Sequence, residues 1–248
     1  MEVKIFKPER LAESAGEKLT ELFQKNRGRE ILLLLAGGSA METLQYIKPE
    51  ALGTHITIVM LDERWSADPK VCNFLQLKAL PFYELAVEAG VNIFDTSPED
   101  RPRDSLGSRT PKTETRKELA ARWEEFLREW VAENPKGKVI ATFGIGEDGH
   151  ICGVMPFPED PQKFSGFFEN DRRFVAGYDA GAKTKFPLRI TATFSFLRKY
   201  LTEGVVFVSG EKKRTALAHV LGSRGTLPET PARILRELTS VTIFTDLR

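Results

Sequence analysis

Chemistry needs titratable side chains held where the backbone lets a ligand approach, and three stretches of this chain offer both. Phe143-Gly144-Ile145-Gly146-Glu147-Asp148-Gly149-His150-Ile151 places three glycines, and an Asp two residues before a His, just after an apolar run. An imidazole beside a carboxylate, in a Gly-rich bend at the end of a buried strand, is the arrangement expected of a general base whose charge develops in a pocket. The competing reading is a histidine that only fills structure, and His55 and His219 are read that way. Asp62-Glu63-Arg64 directly follows the apolar run Ile56–Leu61. A carboxylate there can orient a substrate or give it a proton, and an Arg can stabilise an oxyanion or grip a substrate oxygen; a solvated ion-pair cluster is the plainer alternative. Ala36-Gly37-Gly38-Ser39-Ala40 lies between the run ending at Leu35 and a helix expected from Met41. Its glycines admit a ligand to the backbone and the helix start presents unpaired N–H groups, so phosphate is the natural guest; a tight turn with Ser39 as N-cap is the alternative.

Other chemistries find no support in the residue pattern. The chain has no Gly-x-Ser-x-Gly elbow, which disfavours a Ser-His-Asp triad. Its few His and Cys cannot supply a metal-ligand set, so no metal is expected. The glycine loop lacks both the Gly-Lys-Ser/Thr of a P-loop and the spaced glycines of a dinucleotide fingerprint, so no nucleotide cofactor is expected either. Cys72 and Cys152 have no CxxC spacing, which fits a reducing compartment, and Cys152, two residues after His150, reads as a packing residue beside a pocket rather than a nucleophile.

The elements that must position these stretches follow from apolar periodicity. Strand-length runs at Val3–Phe6, Ile31–Leu35, Ile56–Leu61, Val91–Phe94, Val139–Phe143, Phe174–Gly177, Leu188–Thr193, Val205–Ser209 and Val241–Phe244 alternate with stretches of helical period. That alternation predicts an α/β fold with a doubly wound, mostly parallel sheet and helices on both faces. In such sheets ligands bind beyond the carboxyl ends of the strands, where all three stretches fall. A helix is predicted around Thr113–Val131, with Leu119, Trp123, Phe126, Leu127 and Trp130 as its apolar stripe and Thr115-x-x-Glu118 as a capping box. Thr96 to Pro111 reads as a surface excursion or mobile flap, and Pro156 to Asp171 as an irregular loop bordering the site.

Composition narrows the partners. With 41% hydrophobic residues the 248-residue chain can bury one sizeable core, read as a single domain over 1–248. Its 36 Lys+Arg nearly cancel 35 Asp+Glu, leaving no field to hold nucleic acid or an anionic membrane. The longest apolar run, Ile31 to Ala36, is far short of the roughly 20 residues of a spanning helix, and a cytoplasmic location is expected.

Taken in order, GGS after one strand, LDER after the next and GIGEDGHI after a later one resemble the 6-phosphogluconolactonase and glucosamine-6-phosphate deaminase superfamily. The resemblance continues through Cys72-Asn73, similar to the family's Ser-Asn pair, through Arg189-Ile190-Thr191, and through Ser209-Gly210-Glu211-Lys212-Lys213, similar to its TG-x-x-K segment. It implies a Rossmann-like α/β fold without a nucleotide. The deaminases carry a Glu five residues after the motif His and DEY where this chain has Asp62-Glu63-Arg64; here the fifth residue is Met155, so both positions resemble the lactonases. GIGEDGHI itself is a hybrid, closer to the deaminase GIG-x-DGHI than to the lactonase PDGHT, and Gly37-Gly38-Ser39-Ala40-Met41 departs from the family's GGSTP by losing a hydroxyl.

The lactonase resemblance implies a phosphorylated six-carbon sugar lactone as substrate, hydrolysed to an open acid without cofactor or metal. His150 would take a proton from water, Asp148 would orient the imidazole, and Arg64 would stabilise the oxyanion, with Asp62 and Glu63 fixing its guanidinium or binding sugar hydroxyls. Phosphate would lie against Gly37, Gly38, Ser39 and Ala40, with Lys213 as the better match for its cation and Lys185 and Arg189 as further candidates. Two alternatives stay open: an amino-sugar phosphate deaminase or isomerase, in which Glu147 or Glu159 replaces the missing Glu, and a non-catalytic sugar-phosphate sensor.

Overall fold

Ile31–Leu35 is apolar and buried at every position, which requires a strand covered on both faces of its sheet. It occupies the interior of the computed structural model, which describes residues 1–98, 100–101 and 112–248. In chain order the elements are β1 (Glu2–Ile5), α1 (Pro8–Lys25), β2 (Ile31–Leu35), β3 (Ile56–Met60), β4 (Asp62–Arg64), α2 (Asn73–Lys78), α3 (Pro81–Glu88), β5 (Asn92–Ile93), β6 (Asp100–Arg101), β7 (Lys112–Thr113), α4 (Arg116–Glu133), β8 (Lys138–Gly144), α5 (Pro161–Phe168), β9 (Val175–Asp179), β10 (Leu188–Ala192), α6 (Phe194–Tyr200), β11 (Leu201–Val208), α7 (Arg214–Leu221) and β12 (Val241–Thr245). Short 3-10 helices lie between them, including Gly38–Tyr46 and Glu211–Lys213.

Seven strands form a parallel sheet in the order β1-β12-β11-β8-β2-β3-β5, with helices packed around it. From β2 the chain steps outward to β3 and β5, while β8 lies on the other side of β2 and steps outward to β11. The order therefore reverses between β2 and β8, and a crevice opens beyond their carboxyl ends. Helix α1 buries Leu11, Ala15, Leu19, Leu22 and Phe23 and packs on β11, β12 and the 3-10 helix at Gly38–Tyr46. Each of the leucines and Phe23 contributes about 1.5–3 kcal/mol of burial. Gly16 allows the close approach, since a Cβ there would lie 2.5 Å from the Thr43 carbonyl oxygen.

Beside the parallel sheet stands a three-stranded antiparallel sheet, β4-β10-β9. This corrects the sequence reading twice. The runs at Phe174–Gly177 and Leu188–Thr193 are strands, but of this second sheet. Asp62-Glu63-Arg64 lies beyond the carboxyl end of β3 as expected, but as a strand of the second sheet: after Leu61, whose N–H still donates to the Leu35 carbonyl (2.7 Å), the chain crosses over to pair with β10. Helix α4 covers β9 and β10 with Leu119, Trp123 and Leu127, and the Thr115–Glu118 capping box is present at its start. Phe126 is only half-buried and stacks on Phe94, with ring centroids 4.1 Å apart.

Two further expectations change. The helix predicted from Met41 is instead a 3-10 helix beginning at Gly38, so Ser39 lies inside it and is no N-cap. The stretch from Pro156 to Asp171 contains α5, started by Pro161 and capped by Asp160, whose carboxylate accepts from the Lys163 N–H. Of the excursion at 96–111, residues 99 and 102–111 lie outside the described residues; β6 and β7 pair with each other at its base. Among the described residues no helix is long and apolar enough to cross a membrane.

Candidate active site

The turn after β8 is closed by backbone hydrogen bonds from Gly149 N–H to the Gly146 carbonyl (3.0 Å) and from Gly146 N–H to the His150 carbonyl (2.9 Å). Gly149 sits at φ +82°, which only glycine takes without strain. Gly146 leaves room for the imidazole, since a Cβ there would fall 2.1 Å from His150 Nδ1. Within the turn Asp148 Oδ1 accepts from the His150 N–H (3.1 Å) and lies 2.5 Å from His150 Nδ1. Desolvation pushes the Asp148 carboxyl up, but hydrogen bonds and charge from His150 outweigh it and hold the group below its usual range. An ionised Asp148 accepting the Nδ1 proton leaves Nε2 as the ring nitrogen able to take another.

The second sheet pins the chain just past this histidine. Thr191 Oγ1 donates to the Cys152 carbonyl (2.6 Å), Tyr178 OH donates to the Gly153 carbonyl (2.5 Å), and the Met155 N–H donates to Tyr178 OH (3.1 Å). Cys152 is held at φ +54° and its thiol is buried. Burial, and then the Asp62 charge, push that thiol well above the usual range, so it stays protonated and acts as packing.

Alternation along β4 sorts its three charged residues. Asp62 and Arg64 point to the cleft, together with Arg189, which is paired directly opposite Arg64. Glu63 points the other way and is fully buried. Its Oε1 accepts from the N–H groups of Arg64 (2.7 Å) and Asn73 (2.5 Å), and its Oε2 from Phe74 N–H (2.8 Å) and Thr96 Oγ1 (3.2 Å). It therefore ties β4 to the start of α2 and does not line the cleft, contrary to the expectation that it binds sugar hydroxyls. Burial raises its carboxyl to about 7 despite these donors. Burial also raises the Asp62 carboxyl, opposed by Arg189, Arg64, His150 and Asn73 around it. Like charges directly opposite repel, and the Asp62 carboxylate, close enough to feel both arginines, offsets that. Arg189 is 4% exposed, its terminal nitrogen donates to Thr184 Oγ1 (3.1 Å), and the Nε atoms of Arg64 and Arg189 are buried without a hydrogen-bond partner among the described residues.

At the end of β2, Gly38 takes φ +68° and opens the 3-10 helix, whose first N–H groups, from Gly38 and Ser39, have no carbonyl of the helix to reach. Lys213 arrives from the turn after β11 and donates to Ser39 Oγ (3.3 Å). Burial lowers its ammonium, while Glu147, Glu42 and Asp246 act to raise it.

These pieces enclose a cleft of about 290 Å³ lined by Gly37, Gly38, Ser39, Asp62, Arg64, Glu147, His150, Arg189 and Lys213, among others. Asp148 stands directly behind the His150 ring, and Ala40 is buried beneath the loop. Lys185 is not brought in: it is exposed, with its ammonium 5.3 Å from the Phe186 ring centroid. Asn73 is a lining residue that spacing alone did not single out; its Nδ2 donates to the Asp62 carbonyl (2.9 Å) and its buried Oδ1 has no partner among the described residues. A Cβ on Gly37 would lie 2.3 Å from that Oδ1, so this glycine is required for the β2 loop to meet α2. A larger groove of about 990 Å³ between α4 and β9 holds none of these groups and is walled by helix-surface charges such as the Arg128–Glu124 pair.

A 6-phosphogluconolactonase from Shewanella baltica superposes with a TM-score of 0.71 at 18% identity, covering 99% of this chain and 97% of that one. One from Leishmania guyanensis gives 0.70 at 20% identity, with 98% and 95% covered. A monomeric glucosamine-6-phosphate deaminase gives 0.65 at 17% identity, with 99% and 97% covered, so the fold by itself serves both activities. No curated protein sequence matches the chain. The sequence model of the family described as glucosamine-6-phosphate isomerases/6-phosphogluconolactonase matches residues 7–244, and this chain belongs to that family.

Proposed function

We propose that this chain hydrolyses a phosphorylated six-carbon sugar lactone, 6-phosphoglucono-lactone, to 6-phosphogluconate. The observation that carries the reading is His150, 2.5 Å from Asp148 through Nδ1 and lining one cleft with the arginine pair Arg64 and Arg189. His150 Nε2 takes a proton from water as the water oxygen bonds to the lactone carbonyl carbon, and Asp148 holds the imidazolium that results. The carbonyl oxygen becomes an oxyanion facing Arg64, with Arg189 beside it, two guanidinium residues that line the cleft and are held partly out of water. The tetrahedral intermediate collapses by breaking the ring C–O bond, and the leaving alkoxide takes the proton from His150. Asp62 balances the two guanidiniums and presents an acceptor to a sugar hydroxyl. The phosphate lies against the first N–H groups of the Gly38–Tyr46 helix, with Lys213 as its cation.

The amino-sugar reading is less well supported by the site. Met155 is buried where the deaminases place their Glu, and Glu159 pairs with Lys183 outside the cleft. Of the two carboxylates weighed as replacements, only Glu147 lines the cleft. The test is hydrolysis of freshly generated 6-phosphogluconolactone above its spontaneous background by wild type and His150→Ala, with ammonia release from glucosamine 6-phosphate measured on the same preparation. Acceleration lost in the variant, without ammonia, supports the lactonase. Ammonia release shifts the assignment to the deaminase, and silence in both assays leaves the sensor.

A further inference from the structure

Lys213 has an unusual setting for a phosphate-binding cation, because three carboxylates, Glu147, Glu42 and Asp246, act on one ammonium. They are not equivalent. Asp246 accepts from the Gly210 N–H (3.0 Å) and Ser209 Oγ (3.2 Å) and so holds the turn that delivers Lys213. Glu42 is exposed on the 3-10 helix and does not line the cleft. Glu147 lines the cleft with Lys213 and Ser39, and among the described residues no hydrogen bond or ion pair engages its carboxylate. Its backbone cannot withdraw, since it is the first corner of the Gly146–Gly149 turn that also sets His150. The loop that supplies the base thus also places a free negative charge at the phosphate end.

We propose that Glu147 is a specificity-determining residue that reduces the preference of this cleft for phosphorylated over unphosphorylated sugar lactones. A bound phosphate shares Lys213 with Glu147 and meets its charge across a half-solvated cleft, while a neutral hydroxymethyl group at the same place meets no repulsion and can donate to the carboxylate. The inference rests on the lactonase reading above and identifies which sugars that site tolerates.

The experiment compares kcat and KM for 6-phosphogluconolactone and gluconolactone in wild type, Glu147→Gln, Lys213→Gln and the double variant. Glu147→Gln is expected to raise the phosphorylated-to-unphosphorylated ratio of kcat/KM about three- to tenfold, through KM, with the gain shrinking as ionic strength rises. The gain should be smaller in the Lys213→Gln background, because part of it is competition for that ammonium. An unchanged or lowered ratio overturns the proposal, as does a fall in kcat on both lactones, which would put Glu147 in the chemistry. If wild type hydrolyses neither lactone, the functional reading fails separately. Calorimetric titration of inorganic phosphate then decides the charge effect, tighter binding to Glu147→Gln supporting it and equal binding overturning it.

Discussion

At one end of the cleft an anion would meet the N–H groups of Gly38 and Ser39 and one half-buried ammonium; at the other it would meet two guanidiniums side by side on a buried strand pair. The first end is mostly backbone at the mouth of a parallel sheet, a geometry any strand-to-helix turn can supply. The second needs another sheet, the nearby Asp62 carboxylate and a buried Glu63 on the opposite face of β4. Charge held out of water before the reaction needs no reorganisation during it, whereas backbone dipoles at the surface bind substrate and transition state alike. Substitutions at the arginine and histidine end should therefore fall on kcat, and those at the phosphate end on KM.

The largest expected effect is at His150. Replacing it with Ala should lower kcat for lactone hydrolysis about a thousandfold, leaving KM within a few-fold, as read by stopped assays above background. Arg189→Lys follows, with kcat lower by on the order of a hundredfold, because an ammonium cannot reproduce the guanidinium's planar row of donors. A loss confined to KM would mean that Arg189 holds phosphate instead, and the contrast between the ends would collapse.

Glu63→Gln should act on the frame. An amide NH2 can accept from none of the four donors that converge on Glu63, whereas each carboxyl oxygen can even when one is protonated, so unfolding in urea should show a loss of about 2–3 kcal/mol. The sign with pH is fixed by the raised carboxyl. Between 4.5 and about 7 the folded chain holds a proton that the unfolded chain has released, so Glu63's contribution is full below 4.5 and declines as pH rises through about 7. The stability difference between wild type and Glu63→Gln should therefore be greater near pH 4.5 than near pH 8.

Glu63 also shows where reading the sequence stops. Three charged residues after an apolar run look alike as residue types, and only the alternation of a strand separates the two that face the cleft from the one that does not. That strand was hidden because charged residues carry little strand propensity and its partner lies more than a hundred residues away. The apolar runs at Phe174–Gly177 and Leu188–Thr193 were visible as strands, but a run's length does not reveal which sheet it joins. His150 and Asp148 were legible because two residues of spacing in a Gly-rich bend leave little freedom. Lys213 and Lys185 differ in whether a turn aims them inward, which only the hydrogen bond between the β11 turn and Asp246 decides.

Lys213→Gln should raise KM about tenfold while leaving kcat within a factor of two, the signature of binding shared by ground and transition states. A large fall in kcat would mean that phosphate binding orients the lactone for attack, making the two ends one machine.

Ser39→Ala carries the smallest expected effect and the finest distinction. Its hydroxyl accepts from Lys213 at 3.3 Å, so removing it takes one long hydrogen bond from the phosphate end and frees the ammonium. If the N–H groups of the first helical turn hold the phosphate, the backbone is untouched and KM should rise only about two- to threefold. If side chains hold it, Ser39→Ala should approach the effect of Lys213→Gln, and the double variant should add little beyond either. The resemblance to a GGSTP loop raises the same question from the other side. This chain has Ala40-Met41 where the family has Thr-Pro and so already lacks one hydroxyl, which a backbone-built anion site can lose and a side-chain-built one cannot. A two- to threefold change would explain why Ala40 is tolerated there.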